Sequence, residues 1–156
     1  MQEQQRIRFK IPSNYIYISP IRAFIRQLAQ RLEFTRVRVE DIELAVDEIC
    51  NNAIEHGSYG DNSDIILVLT LDDDYLDILV RDKGKDKGAA SSWLHSGRLE
   101  EVERQMSPKG ERGHGIFLAS ILSDRIEMKP NAHGGTDIRI VFERKSPSAE
   151  VGEECK

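Results

Sequence analysis

Three groups of residues stand out for what their side chains could do to a ligand. Along Leu44–Gly57, Glu48, Asn52 and His56 recur at i, i+4 and i+8, which aligns them in one row on a helix. At about 100° per residue, that row borders the apolar stripe Ile42, Ala45, Val46, Ile49 and Ala53, at the rim of a core where a pocket can open. Carboxylates accept protons and amide oxygens suit hard cations, so Glu48 beside Asn52 fits a general base next to a metal ligand. Taken alone, the commoner reading of such a row is the polar edge of a solvated helix.

The second group lies on a strand. Leu76, Ile78 and Val80 share one face by period 2, and Asp82 falls on that same face. A carboxylate turned inward needs a donor, because an unpaired buried charge is costly. At the end of a strand it can accept from a ligand amine; otherwise the strand ends at Val80 and Asp82 opens a turn with Gly84. The third group, Glu111-Arg112-Gly113-His114-Gly115-Ile116-Phe117-Leu118, sets a glycine pair before a helix. Glycines allow close backbone approach, a first helical turn presents free N–H groups to anions, and Arg112 supplies positive charge. It lacks the lysine of a phosphate-binding P-loop and the third glycine of a dinucleotide fingerprint. Gly134-Gly135-Thr136 ahead of the last strand offers a turn or a ligand-facing hydroxyl. No H-E-x-x-H metal site or G-x-S-x-G nucleophile elbow occurs.

These residues need elements to hold them. Arg6–Ile11 alternates Ile7, Phe9 and Ile11 with charged residues, which predicts a half-buried strand. Ser19-Pro20 reads as the cap and first turn of a helix carrying Ile21, Phe24, Ile25, Leu28 and Leu32. A second helix is expected from about Val39–Asp41 to Gly57. Ile65–Leu71 and Tyr75–Asp82 are strands joined at Asp72-Asp73-Asp74. Residues 83–111 are rich in Gly, Ser and Lys, with a short helical stretch near Leu99–Met106, and a loop this long suggests a lid. A helix over about His114–Ser123 follows, turning Ile116, Ala119, Ser120 and Leu122 or Ser123 inward. The strands Arg125–Lys129 and Asp137–Glu143 then meet across the turn Asn131–Gly135. This pattern predicts one α/β domain over residues 1–143, a two-layer sandwich whose mixed, mostly antiparallel sheet carries helices on one face. Residues 144–156 read as a frayed, disordered tail.

Composition narrows the function classes. The 156 residues are 39% apolar and 31% charged, as expected of a globular protein. Twenty-two Lys and Arg against 27 Asp and Glu leave −5, which lacks the positive field of a nucleic-acid binder. No apolar run approaches the roughly 20 residues of a membrane helix. Met1–Arg6 lacks the apolar core of a secretion signal, and Cys50 and Cys155 have no metal spacing, so a reducing cytoplasm is the expected setting.

In this order and spacing the elements resemble the GHKL (Bergerat) ATP-binding fold of gyrase and histidine kinases. More narrowly, Leu44-Ala-Val-Asp-Glu48-Ile-Cys-Asn-Asn52-Ala-Ile-Glu-His56-Gly57 resembles the N-box of bacterial anti-sigma factor serine kinases. Val80-Arg-Asp82-Lys-Gly84 resembles their first glycine box, Arg112-Gly113-His114-Gly115-Ile116-Phe-Leu118 their second, and Gly135-Thr136 their closing threonine motif. The likeness runs from about Phe9 to Phe142.

The resemblance implies an ATP- and Mg2+-dependent serine protein kinase that phosphorylates an anti-sigma factor antagonist of the STAS type and sequesters a sigma factor. By it, Asp82 accepts from the adenine amine beside Gly84, and Thr136 supports the adenine end. Asn52 ligates Mg2+ and Glu48 is the general base. Arg112, Gly113, His114, Gly115 and Ile116 form the phosphate segment under the lid, and Arg22 on the first helix faces a partner. A homodimer through the first strand and helix is implied as well, with no direct nucleic-acid or membrane partner. One departure stands out: Asp86 occupies the place of the first box's second glycine, with Gly88 two residues on. A carboxylate there would repel phosphates, which favours an alternative, a non-catalytic partner-switching module, nucleotide-binding or nucleotide-free, that binds a regulator without phosphorylating it. A third reading, a fragment of a histidine kinase, requires phosphohistidine on a donor protein.

Overall fold

The computed structural model describes residues 3–58, 63–84 and 114–144. Five strands, β1 (Gln5–Pro12), β2 (Asp64–Leu71), β3 (Tyr75–Arg81), β4 (Arg125–Pro130) and β5 (Thr136–Glu143), form one sheet in the order β1-β2-β3-β5-β4. The sequence pattern predicts a mixed, mostly antiparallel sheet. Every strand pairing among the described residues is antiparallel.

Three helices, α1 (Ile18–Arg31), α2 (Arg36–Asn52) and α3 (His114–Leu122), cover one face of that sheet. The reason is visible in the register. Ile7 pairs with Leu69, Leu69 with Ile78, Ile78 with Ile140, and Ile140 with Ile126, so an apolar row crosses all five strands. A second row runs Phe9, Leu67, Val80, Ile138, Met128. Against these rows α1 sets Ile21 and Ile25, α2 sets Ile42, Ala45, Val46 and Ile49, and α3 sets Ile116 and Ala119. Burying each large side chain contributes roughly 1.5–3 kcal/mol. The next position of that face on β3 is Asp82, where an apolar residue would continue the pattern.

Two helix starts differ from the sequence expectation. Ser19 does not cap α1, because a 3-10 turn at Tyr15–Tyr17 runs straight into it and Asn14 Oδ1 accepts from Ile16 N at 3.0 Å. Pro20 then occupies a first-turn position that needs no N–H partner. Helix α2 starts at Arg36 rather than near Val39: Thr35 Oγ1 accepts from Arg38 N at 3.3 Å, and the polar first turn conceals the helical period. At its other end α2 passes into a π-helical stretch, Ala53–Ser58. Ser120 faces its own helix, donating to the Phe117 carbonyl at 2.6 Å, and Ser123, just past α3, is buried.

Arg144, assigned by the sequence to a tail, is tied down. Its N–H donates to the Asp74 carbonyl at 2.7 Å and its guanidinium to the carbonyls of Asp72 and Leu32. The remaining tail residues, with Cys155, lie outside the described residues. Among those described, no helix is long and apolar enough to cross a membrane. Cys50 is buried, and burial pushes its thiol up to about 12, which makes it an inert core residue.

Candidate functional site

Strand phase carries Asp82 inward, and the structure leaves it 5% exposed at the end of β3. Its backbone continues the ladder by one step, donating from N to the Thr136 carbonyl at 3.1 Å. Its carboxyl is held from one side: Oδ1 accepts from Gly84 N at 2.9 Å and from Thr136 N at 3.2 Å. The second oxygen, Oδ2, takes no hydrogen bond from the described residues. Burial lifts the carboxyl to about 6, against the pull of the Thr136 and Gly84 bonds and with a smaller push from the Asp137 charge. The result is a buried acceptor with one oxygen fixed by backbone and the other without a bond to the described residues.

Gly84 has φ +73°, a left-handed conformation, and a side-chain carbon there would collide with the Gly134 carbonyl. The turn before β5 thus lies directly over the first glycine box. Thr136 is buried beside Asp82 and meets it twice through its backbone, its carbonyl accepting from Asp82 N and its N–H donating to Oδ1. On the opposite face of the sheet, Arg81 grips Asp137 with two parallel bonds of 2.8 Å, Nε to Oδ1 and Nη2 to Oδ2. Burial alone would raise the Asp137 carboxyl; the bonds from Arg81 and Asn131 outweigh it and hold it below its ordinary value.

The second half of the site stands on α2. Glu48 and Asn52 are both half-buried, on the border of a stripe whose members Ile42, Ala45, Val46 and Ile49 are fully buried. Asn52 is the last residue of the α-helix. Because the winding changes to π from Ala53, the α-helical spacing that aligned His56 with this row does not extend past Asn52. Burial, reinforced by the neighbouring charge of Asp47, raises the Glu48 carboxyl above its ordinary value. That is the direction a general base working near neutral pH needs.

Helix α3 meets Glu48 at its first turn. A side-chain carbon on Gly115 would lie 2.5 Å from Glu48 Oε2, so the glycine makes room for the carboxyl. Ile116 is 4% exposed and belongs to the core, so only its backbone remains for a ligand. His114 opens the helix. Arg112, Gly113, Asp86, Gly88 and nearly all of the expected lid, including its short helical stretch near Leu99–Met106, lie outside the described residues. Arg22 on α1, assigned to a partner, is 3.2 Å from Asp47, one residue before Glu48. Among the described residues no three His, Cys, Asp or Glu side chains gather as a metal cage.

Sequence reasoning misses two residues that hold this site. Asn131 reads from sequence as a turn residue only, yet its amide reaches Asp82 and Asp137. Arg38 donates to the Leu122 carbonyl at 2.8 Å and to Asp124 Oδ2 at 2.6 Å, and lies 5.1 Å from the Phe142 ring centroid. It thereby fixes the far end of α3 against α2. Neither contact leaves a trace in local sequence.

A family profile described as the histidine kinase-like ATPase domain matches residues 11–142. The chain belongs to that family. Among named relatives of this histidine kinase-like ATPase domain are the serine-protein kinases RsbW of Bacillus mycoides (strain KBAB4) and Bacillus cereus (strain G9842). Each is 28% identical over 128 residues, covering 82% of this chain and 79% of the relative. Among solved structures, the RsbU and RsbW domains of Rv1364c from Mycobacterium tuberculosis match with TM-score 0.64 at 19% identity, over 92% of this chain. This chain spans 33% of that protein's length. The SiaB–SiaC complex from Pseudomonas aeruginosa matches with TM-score 0.55 at 12% identity, covering 88% and 89% of the two chains. These likenesses place the sheet-and-helix architecture in the GHKL fold.

Proposed function

We propose that the chain is an ATP-dependent serine protein kinase and anti-sigma factor of a partner-switching pathway. It phosphorylates a serine on a STAS-type anti-sigma factor antagonist and sequesters a sigma factor. The observation that carries this reading is the buried Asp82 carboxyl, with Oδ1 held by two backbone N–H groups and Oδ2 left for an exocyclic amine. Membership of the kinase-like ATPase family and relatives named serine-protein kinase support it.

In this reading Asp82 orients the purine and Thr136 backs it. Glu48 takes the proton of the substrate serine hydroxyl as the γ-phosphoryl group passes in line to its oxygen, and ADP leaves. Arg112, Gly113 and Gly115 hold the phosphates. Phosphoryl transfer asks a protein mainly for position and charge stabilisation. An amide oxygen at the end of α2 fits Mg2+, which takes one or two protein ligands and otherwise waters and phosphates. Asn52 would hold that ion, which when bound neutralises charge on the phosphates.

Arg22, partly exposed and paired to Asp47, is the residue assigned to partner contact. A homodimer through β1 and α1 is part of the proposal, supported by the edge position of β1 and the exposed Ile16 and Phe24; sedimentation of the purified chain tests it. A cytoplasmic location follows from such partners.

The deciding experiment incubates the chain with Mg-ATP and a candidate antagonist domain and looks for phosphoserine. Glu48→Ala is expected to abolish transfer and keep nucleotide binding. Absence of phosphoserine with a bound antagonist overturns the kinase. Asp86, which replaces a glycine of the family pattern, favours one second reading, a partner-switching module without catalysis. A thermal shift separates the two, since ligand at 100 times its dissociation constant stabilises by about 2.7 kcal/mol. No shift with ATP or ADP would select the module.

A further inference from the structure

We infer that Asn131 is a positioning residue for purine recognition, setting the orientation of the Asp82 carboxyl from the turn ahead of β5. The inference rests on the nucleotide reading above and names a residue outside every motif that led to it.

Asn131 uses both ends of its side-chain amide. Nδ2 donates to the Asp82 carbonyl at 2.7 Å and to Asp137 Oδ1 at 3.1 Å. Oδ1 accepts from His133 N at 3.0 Å and from Gly135 N at 3.1 Å. A flipped amide would set N–H against N–H, so the network fixes its orientation. Its backbone closes the same turn, with Asn131 N donating to the Gly135 carbonyl at 3.0 Å and Gly134 N to the Asn131 carbonyl at 3.2 Å.

An ordinary turn-forming asparagine needs only its Oδ1 and a backbone N–H two residues on. Here the second half of the amide crosses to another strand. Nδ2 pins the backbone of Asp82 while Oδ1 pins Gly135, the residue just before the Thr136 N–H that Asp82 Oδ1 accepts. The two segments approach closely: a side-chain carbon on Gly135 would lie 2.6 Å from both the Asp82 carbonyl carbon and Oδ1. Asn131 therefore fixes the distance between the strand that carries the acceptor and the turn that supplies its backbone donor. Which way Oδ2 faces depends on both.

Asparagine and aspartate serve equally as turn formers, and that separates the two roles. Asn131→Asp keeps the acceptor for His133 and Gly135, loses both Nδ2 donors, and puts a carboxylate against Asp137 and the Asp82 carbonyl. Asn131→Ser keeps a shorter acceptor, adds no charge, and serves if the first variant does not fold. Dissociation constants for ATP and GTP are measured at pH 7.5 by competition with a fluorescent ATP analogue, and folding is followed by circular dichroism. The wild-type chain is expected to prefer ATP. The folded variants are expected to bind ATP about tenfold more weakly, as for one lost charge-assisted hydrogen bond, with GTP changed less than about threefold. An ATP-to-GTP ratio equal to that of wild type overturns the inference and leaves the nucleotide reading standing. Failure of both variants to fold overturns it too, by making Asn131 a folding determinant. A wild-type chain that binds neither nucleotide, or both alike, overturns the purine reading and the inference together.

Discussion

Glu48 reaches from α2 to the first turn of α3, where its Oε2 lies 2.5 Å from the point a side-chain carbon of Gly115 would occupy. No real carbon tolerates that separation, so any larger residue at 115 displaces the proposed base. A glycine assigned to phosphate approach thus has a second duty toward the carboxyl. Gly115→Ala is expected to lower the phosphoryl-transfer rate at saturating ATP by about 100-fold, the scale of an ångström-sized misplacement. Displacing the base should leave ATP affinity almost unchanged, because Glu48 is assigned to the proton and not to the nucleotide. Single-turnover transfer and ATP titration of the variant check it, and a loss confined to ATP affinity would mean that Gly115 acts on phosphates alone.

Glu48 also has an electrostatic neighbour that can be removed. Burial comes first in raising its carboxyl and the charge of Asp47 second. Transfer requires the ionised base, so the rate should fall as pH drops through a value above the ordinary carboxylate range. Asp47→Asn removes the second cause, so this acidic limb is expected to move to lower pH while the rate plateau changes little. The substitution also frees Arg22, which pairs with Asp47 at 3.2 Å, so antagonist binding is measured alongside the pH–rate profile.

Arg38 offers a prediction about stability alone. Its guanidinium satisfies the Leu122 carbonyl at the end of α3 and meets Asp41 and Asp124, the last at 2.6 Å. Asp124 in turn accepts from Glu143 N at 2.7 Å, so the contact links α2, α3 and β5. Arg38→Met keeps the apolar stem and removes the donors; it should cost about 2 kcal/mol, because the carbonyl and carboxylate lose partners in a half-buried place. Urea unfolding should show a lower midpoint with an unchanged slope.

What the sequence made legible was whatever repeats. Period 2 on β3 put Asp82 inward, and the helical stripe of α2 put Glu48 and Asn52 at the core's edge. Single-residue events were harder. Thr35 caps a first turn whose charged residues hide its period, and the π winding after Asn52 has no local marker. Asn131 and Arg38 act on partners 49 and 84 residues away, Asp82 and Leu122, so nothing short of the fold could show them. Residues 85–113, with Arg112 and Asp86 among them, carry too little period in their sequence for patterning to place them.

Asp82 yields a prediction with two opposite signs. Its carboxyl titrates at about 6, raised from 3.8 mainly by burial. For folding, a raised native value means that the group's stabilising contribution is complete below the unfolded value and is lost as pH rises through about 6. The nucleotide-free chain therefore works at neutral pH with a buried charge that costs on the order of 3 kcal/mol. Asp82→Asn removes the charge, keeps an Oδ1 acceptor for Gly84 N and Thr136 N, and should stabilise the nucleotide-free chain at pH 7.5 by ~1–2 kcal/mol. For binding, the sign reverses. Since Oδ1 already accepts two N–H groups, a proton added below pH 6 goes to Oδ2 and turns the acceptor proposed for the purine amine into a donor. ATP affinity should fall up to tenfold per pH unit below about 6 in the wild type, and the Asp82→Asn variant should bind weakly at every pH. Thermal melts and fluorescent-nucleotide titrations between pH 5 and pH 8 measure both. A variant that melts lower than wild type without nucleotide would show that the buried carboxylate is held for the fold rather than kept at a cost for its ligand.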